Sequence, residues 1–372
     1  MALIKLNTRS IPDDTVTPAK VSQNLGRRNL IINGDMRIAQ RGTTGTLNNG
    51  GGGFHSADRF LSQEEGAFTG AFTVSNDTDS PKGFSNSTKW DCTTADTSLA
   101  ADDVFFVDYK PEAQDLQHLN YGTSDALQMT ISFWIKSKKT GTYVLWLYQY
   151  DGTRHVQMQY TINTADTWEY KTLLVPADTA GVINNDTGAG MLLRFVMGAG
   201  SSWTSGTAPT AWASIVTADR HVGQTVNLAD STDNYMNLTG VQLEVGDTAT
   251  DFEHRLYGEE LVACQRYFQV LGGTGNNYPL ASGFTSTSGF FGYGKLIRTM
   301  RGSPSFSHSG SASHFSYTHA AVAASASSSP TFGTNPNTYY LSIPSSTTTT
   351  NNAGAYARIT NSGTLAFFDS EL

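Results

Sequence analysis

The 372-residue sequence has only two cysteines, Cys92 and Cys264, and no Cys-x-x-Cys spacing. That excludes a disulfide framework and a cysteine zinc site, and it leaves both thiols as small buried hydrophobes. Long apolar runs are missing too. No stretch approaches the ~18 residues of a membrane helix, and the first residues lack the apolar core of a signal peptide. The chain is therefore expected to be made in a cytoplasm and to stay soluble, without membrane insertion. Charge is scarce at 15% of residues, against about 25% in an ordinary soluble domain, and it is unevenly placed. Residues 61–270 carry 12 basic and 26 acidic side chains, whereas residues 271–372 carry four and two. An acidic middle repels phosphate backbones and anionic lipid, which argues against nucleic acid as a partner and leaves neutral sugars or bridged divalent cations. The nearly uncharged tail, rich in Ser, Thr, Gly and Asn, suits a hydrogen-bonding surface or extensive subunit contacts.

Catalytic signatures are equally sparse. There is no HExxH, GxSxG or Walker loop, and no GxGxxG between a strand and a helix. The Gly198–Gly200 run leads into SSWTSGT instead. The eight histidines have no metal-ligand spacing. A glycosidase would need two carboxylates held across a cleft, and Glu64/Glu65 and Asp102/Asp103 are adjacent pairs in loop-like context. No repeat of fixed period is present, which argues against a solenoid.

What is present is strand. Thr130–Lys136 places Ile131, Phe133 and Ile135 on one face and Thr130, Ser132, Trp134 and Lys136 on the other. Tyr143–Tyr150 is apolar on both faces, as a central strand can be. His155–Ile162, Glu169–Val175, Met191–Met197 and Asn237–Val245 supply more, the last with Gln242 and Glu244 outward. Residues 1–28 hold one predicted short helix, capped by Thr17, opened by Pro18 and stopped at Gly26. At that length it is unstable alone, so this arm should dock on a neighbour. A second helix is expected over Glu259–Gln269, with Glu259 and Glu260 in its first turn and Cys264 on its buried face. After it, strand-like pieces at Phe290–Arg298, Ser313–Thr318, Thr338–Ile343, Tyr356–Thr360 and Thr364–Phe368 predict a smaller β domain. The pattern is all-β: an antiparallel β-sandwich over 29–257, an arm at 1–28, a linking helix at 258–271 and a C-terminal β domain at 272–372.

Aromatic side chains are the best candidates for ligand contact, because sugars stack their C–H faces on flat rings while amides and hydroxyls take the hydroxyl groups. Trp134 shares a face with Ser132 and Lys136. Tyr148 lies in the aromatic YVLWLYQY strand. Trp203 and Trp212 lie in the Gly/Ser/Thr-rich loop GAGSSWTSGTAPTAWAS, where an exposed ring would need a reason. Simple packing in the fold is the competing reading for all four.

Two stretches bracket the sandwich: Asn29–Gly42 (NLIINGDMRIAQRG) and Val241–Gln269 (VQLEVGDTATDFEHRLYGEELVACQRYFQ). Asn33-Gly34-Asp35 is turn chemistry, and Phe252 of Asp251-Phe252-Glu253 would drop into the core. Together with Asp58-Arg59-Phe60, these motifs resemble the ends of a jelly-roll module found in tail-fibre and host-recognition proteins of bacterial viruses. The likeness covers residues 1 to about 270, and in style also the ending FFDSEL. It implies a jelly roll similar to carbohydrate-binding modules, in a virion structural protein that is usually a homotrimer and carries no catalytic residues. The arm, through Ile11, Val16, Val21 and Leu25, would join the fibre to phage tail or capsid proteins. Residues 272–372 would be the tip facing a host cell-surface polysaccharide. No cofactor is implied beyond a structural calcium, for which Asp247, Asp251 and Asp91 are the candidate ligands. Trp168 matches a family position at the start of a strand and is expected in the core. A head-attached fibre or capsid decoration protein and a polysaccharide depolymerase are the alternatives.

Overall fold

The computed structural model describes residues 27–273, 277–320, 322–345 and 351–372. The arm helix and Ile11, Val16, Val21 and Leu25 lie outside the described residues. By internal contacts the chain forms two compact units. One comprises described residues up to Arg37, Thr43–Ser56 and Phe60–His254; the other comprises Ile38–Gly42, Ala57–Arg59 and Arg255–Leu372.

The first unit is an antiparallel jelly-roll sandwich. Its strands are β1 (Thr44–Asn48), β2 (Leu61–Glu65), β3 (Ala71–Asp77), β4 (Ser87–Thr94), β5 (Val104–Tyr109), β6 (Met129–Ser137), β7 (Gly141–Gln149), β8 (Arg154–Ile162), β9 (Glu169–Val175), β10 (Met191–Ala199), β11 (Ala213–Ser214) and β12 (Tyr235–Val245). They pair in two six-stranded sheets, β1-β3-β4-β12-β6-β9 and β11-β8-β7-β10-β5-β2. The inward faces meet through Phe133 of the first sheet, whose ring lies 5.1 Å from those of Tyr160 and Phe195 of the second. Ile131, Ile135, Leu145, Leu147, Leu238 and Leu243 are fully buried around them. The double-sided apolarity of β7 has a separate cause. Its outward residues Val144 and Trp146 join Val104, Phe106, Leu192 and Val196 in a second buried cluster, closed by Trp203.

The two bracketing motifs meet within this unit. Leu30 N–H donates to the Leu243 carbonyl, and Val241 N–H to that of Gly34, both at 2.9 Å.

The second unit contains helix α2 (Tyr257–Gln265), preceded in the chain by the one-turn α1 (Ser201–Thr204) of the first unit, and strands β13 (Phe268–Gly272) to β22 (Leu365–Asp369). The expected helix ends early. Phe268 to Gly272 form β13, paired residue for residue with β22 from Asp369 back to Leu365, because these alternating aromatic and branched side chains find a strand partner for their backbone. Cys264 is buried, as its helical face predicted. A three-stranded sheet β13-β22-β16, with β16 at Ser305–His308, and a seven-stranded sheet enclose Phe290, Phe315, Tyr317, Leu341, Ile343 and Phe368.

Parts of the opening motif belong to this second unit. The Arg41 guanidinium lies 3.6 Å above the Phe268 ring and that of Arg59 3.5 Å above Tyr267. Arg41 pairs with Asp369 at 2.9 Å, and Arg59 with Glu371. Gln40 donates to Asp58 at 2.6 Å and to the Phe268 carbonyl at 3.0 Å. Residues 38–42 and 57–59 thus hold the ending FFDSEL.

Candidate functional site

The outward face of the first sheet carries a cavity of about 360 Å³, all within the first unit, walled by the rings of Phe84, Trp134, Tyr170 and Phe252. Three parts of the sequence build it. Alternation in β6 turns Trp134 away from the core, half-buried. Register places Tyr170 of β9 directly opposite, 44% exposed, with ring centroids 5.2 Å apart. The register of β12 slips between Thr239 and Gln242, and Gly240 takes φ +63° there. A Cβ on Gly240 would stand 2.7 Å from the Phe84 ring and 3.1 Å from Trp134, so this glycine opens the floor of the groove.

The far wall comes from the VQLEVGDTATDFE motif. Gln242 and Glu244 point outward but are buried, because the segment after β12 folds over them. Glu244 accepts the Thr250 N–H at 2.8 Å and its hydroxyl at 2.7 Å, and Gln242 accepts the Glu253 N–H at 2.8 Å. These bonds fix Phe252 against Phe84 at 5.0 Å, with His254 4.9 Å from Phe252. Phe252 therefore lines the groove, half-buried, and does not enter the core as expected. Lys82, Asp251 and His254 stand exposed at the rim. Flat rings with hydroxyl and a few charged groups around them are suited to a ligand that is apolar on its faces and polar at its edges.

The four expected ring contacts are not brought together. Trp134 lines the groove. Tyr148 lies on the other sheet, stacked on Trp146 at 5.6 Å. Trp203 is 9% exposed, donates to the Asp102 carbonyl at 3.0 Å and stacks on His221. Trp212 is 6% exposed, donates to the Pro176 carbonyl at 2.7 Å and meets Tyr121 edge-on. Tyr170 and Phe84 were missed by sequence reasoning. Outward alternation in EYKTLLV was the available signal for Tyr170. Trp168 departs from its expected core position: it is half-buried, donates to Asp79 at 3.0 Å and faces Lys136.

Among the described residues no cluster of three or more His, Cys, Asp or Glu side chains is arranged to hold a metal ion. Of the calcium candidates, Asp91 pairs with Lys89 at 3.0 Å and Asp247 accepts the Thr248 hydroxyl, while Asp251 sits at the groove rim. Glu65 pairs with Arg194, and Asp103 accepts the N–H groups of Ala67 and Ala100. No helix among the described residues is long and apolar enough to cross a membrane.

No protein-family model matches the sequence, and no curated protein matches it. Several solved structures are similar in part. The enzymatically active domain of bacteriophage CBA120 tailspike protein 4 is 12% identical over 59% of this chain and 21% of its own, with a TM-score of 0.30. The chain thus spans about a fifth of that domain. The CBM22-1 xylan-binding domain of Paenibacillus barcinonensis Xyn10C is 10% identical over 60% of this chain and 99% of its own, with a TM-score of 0.28. The family 11 carbohydrate-binding module of Clostridium thermocellum Lic26A-Cel5E is 14% identical over 52% and 91%, with a TM-score of 0.26.

Proposed function

We propose that this chain is a non-enzymatic virion protein, a tail fibre or receptor-binding protein, whose sandwich unit binds a host surface glycan in the groove between Trp134 and Tyr170. The observation that carries the glycan reading is the groove itself: four rings around about 360 Å³ on the outward face of a sheet. Four partly exposed rings gathered in one groove form an apolar surface of the kind that marks a binding site. Asp251 is the one carboxylate among the residues lining it, whereas the usual glycosidase mechanism uses a pair; this supports binding without cleavage. The fibre setting, the homotrimer and attachment through the arm rest on the bracketing motifs and their resemblance.

The test is a glycan array probed with the full chain and with Trp134→Ala. Signals for one saccharide class that Trp134→Ala removes are expected. Binding that is absent, or that survives Trp134→Ala undiminished, overturns the reading.

A further inference from the structure

The opposite sheet carries a cation, Arg220, that has no ion-pair partner among the described residues, Glu65 acting on it only at longer range. On the outward side of β7, β10 and β5, Arg194 is fully committed. Its Nε and Nη2 donate to the two oxygens of Asp108 at 2.9 and 3.0 Å, and its Nη1 to Glu65 at 3.2 Å. Arg220 comes down beside it, its guanidinium carbon 5.2 Å from the Trp146 ring centroid and 5.1 Å from that of Trp203. Its Nε is buried without an acceptor, and among the described residues its guanidinium has no hydrogen-bond or ion-pair partner. The nearby carboxylates are engaged: Asp108 and Glu65 by Arg194, and Asp219 by the Thr207 N–H at 2.7 Å. Below Arg220, His221 is fully buried between Trp203 and Trp146, and neither of its ring nitrogens has a partner. Next to this floor stand Tyr148, half-buried, and Tyr150, 37% exposed, with ring centroids 5.1 Å apart.

Arg220 is half-buried, and an arginine partly withdrawn from water usually has an anionic partner. A planar guanidinium held on aromatic walls is preorganised for a two-pronged bond to a carboxylate. The half-buried Tyr148 ring offers a stacking face for a sugar, with the exposed Tyr150 ring standing beside it at 75°. We propose that this face is a second saccharide site, distinct from the Trp134 groove, in which Arg220 takes the acid group of an anionic sugar whose ring lies on Tyr148, with Tyr150 at its side. The carboxylate of a uronic acid fits the fork of the guanidinium. A sulfate ester offers related chemistry and is the competitor to be distinguished.

The full chain is titrated calorimetrically with an oligogalacturonate, its carboxyl-reduced neutral counterpart and a sulfated oligosaccharide. The oligogalacturonate is expected to bind, and Arg220→Gln and Tyr148→Ala are each expected to weaken it by about tenfold or more, while Trp134→Ala leaves it unchanged. Thermal unfolding of each variant separates lost binding from lost structure. The inference is overturned if the oligogalacturonate does not bind, if the neutral counterpart binds as well, if only the sulfated sugar binds, or if folded Arg220→Gln binds like the wild type. Because Trp134→Ala is silent here and decisive on the other sheet, the two sites can fail separately.

Discussion

The side chain of Asn29 reaches across to Val241, donating its amide to the Val241 carbonyl at 3.1 Å, while its oxygen accepts the N–H groups of Ile31 at 2.9 Å and Leu243 at 3.1 Å. One buried amide thus ties the start of the sandwich to its last strand, beside the register slip that opens the groove. Truncation strands a carbonyl and two N–H groups away from water. Asn29→Ala should destabilise the sandwich by about 2–3 kcal/mol, and Asn29→Asp by more, since it sets a carboxylate against the Val241 carbonyl. Urea denaturation followed by fluorescence measures both.

Gly240 is predicted to matter for ligand more than for fold. In Gly240→Ala the new Cβ presses on the ends of the Phe84 and Trp134 rings, which can swing, while the left-handed backbone costs about 1–2 kcal/mol. The variant should fold with slightly lower stability and lose glycan binding. Wild-type affinity in Gly240→Ala would show that ring placement in the groove is unimportant.

The tryptophans should separate by role. Trp203→Ala leaves a cavity beneath α1 and removes the bond to Asp102, at a cost of about 3–5 kcal/mol. Trp134→Ala removes a half-exposed ring and should cost less than half of that. Thermal unfolding of the two variants side by side checks the ordering.

These contrasts mark what the sequence made legible. Alternation was readable in β6, β8 and β12, where most inward residues are apolar. It was unreadable in β2 (LSQEE) and β4 (STKWDCTT), whose short polar sequences are stabilised by their neighbours. The Gly-, Ser- and Thr-rich loop around Trp203 left both ligand contact and simple packing legible, and the loop folds back to bury the ring against Trp146 and His221. Gln242 and Glu244 face outward as their spacing required, and their burial comes from a covering segment that no periodicity encodes. Trp134 was identifiable from its strand alone. Its partnership with Tyr170 depends on the register of β6 against β9, which is fixed by long-range pairing.

Acid–base behaviour of the second unit is predicted to run against habit. Burial lifts the Asp58 carboxyl to about 6, against the pull of Arg41. Between about pH 4 and pH 6 the folded chain keeps a proton that the unfolded chain has released. Stability from this group therefore falls as pH rises through that window, by about 3 kcal/mol in total. Denaturation midpoints of wild type and Asp58→Asn across the window should converge at the acid end and differ increasingly above it in favour of the variant. A constant difference would contradict the burial argument.

Removing Asp369–Leu372 should destabilise the second unit internally, since it takes away the carboxylates that Arg41 and Arg59 hold. Loss of a buried ion-pair partner costs about 3–5 kcal/mol. Hydrogen exchange should show β13, which pairs with β22, losing protection first.

The most direct test of the account is a crystal of the full chain soaked with the best saccharide from the array. The account predicts a sugar ring against Trp134 and Tyr170, bordered by Phe84 and Phe252. Saccharide bound elsewhere with the groove empty, at a concentration where binding in solution is saturated, would contradict it.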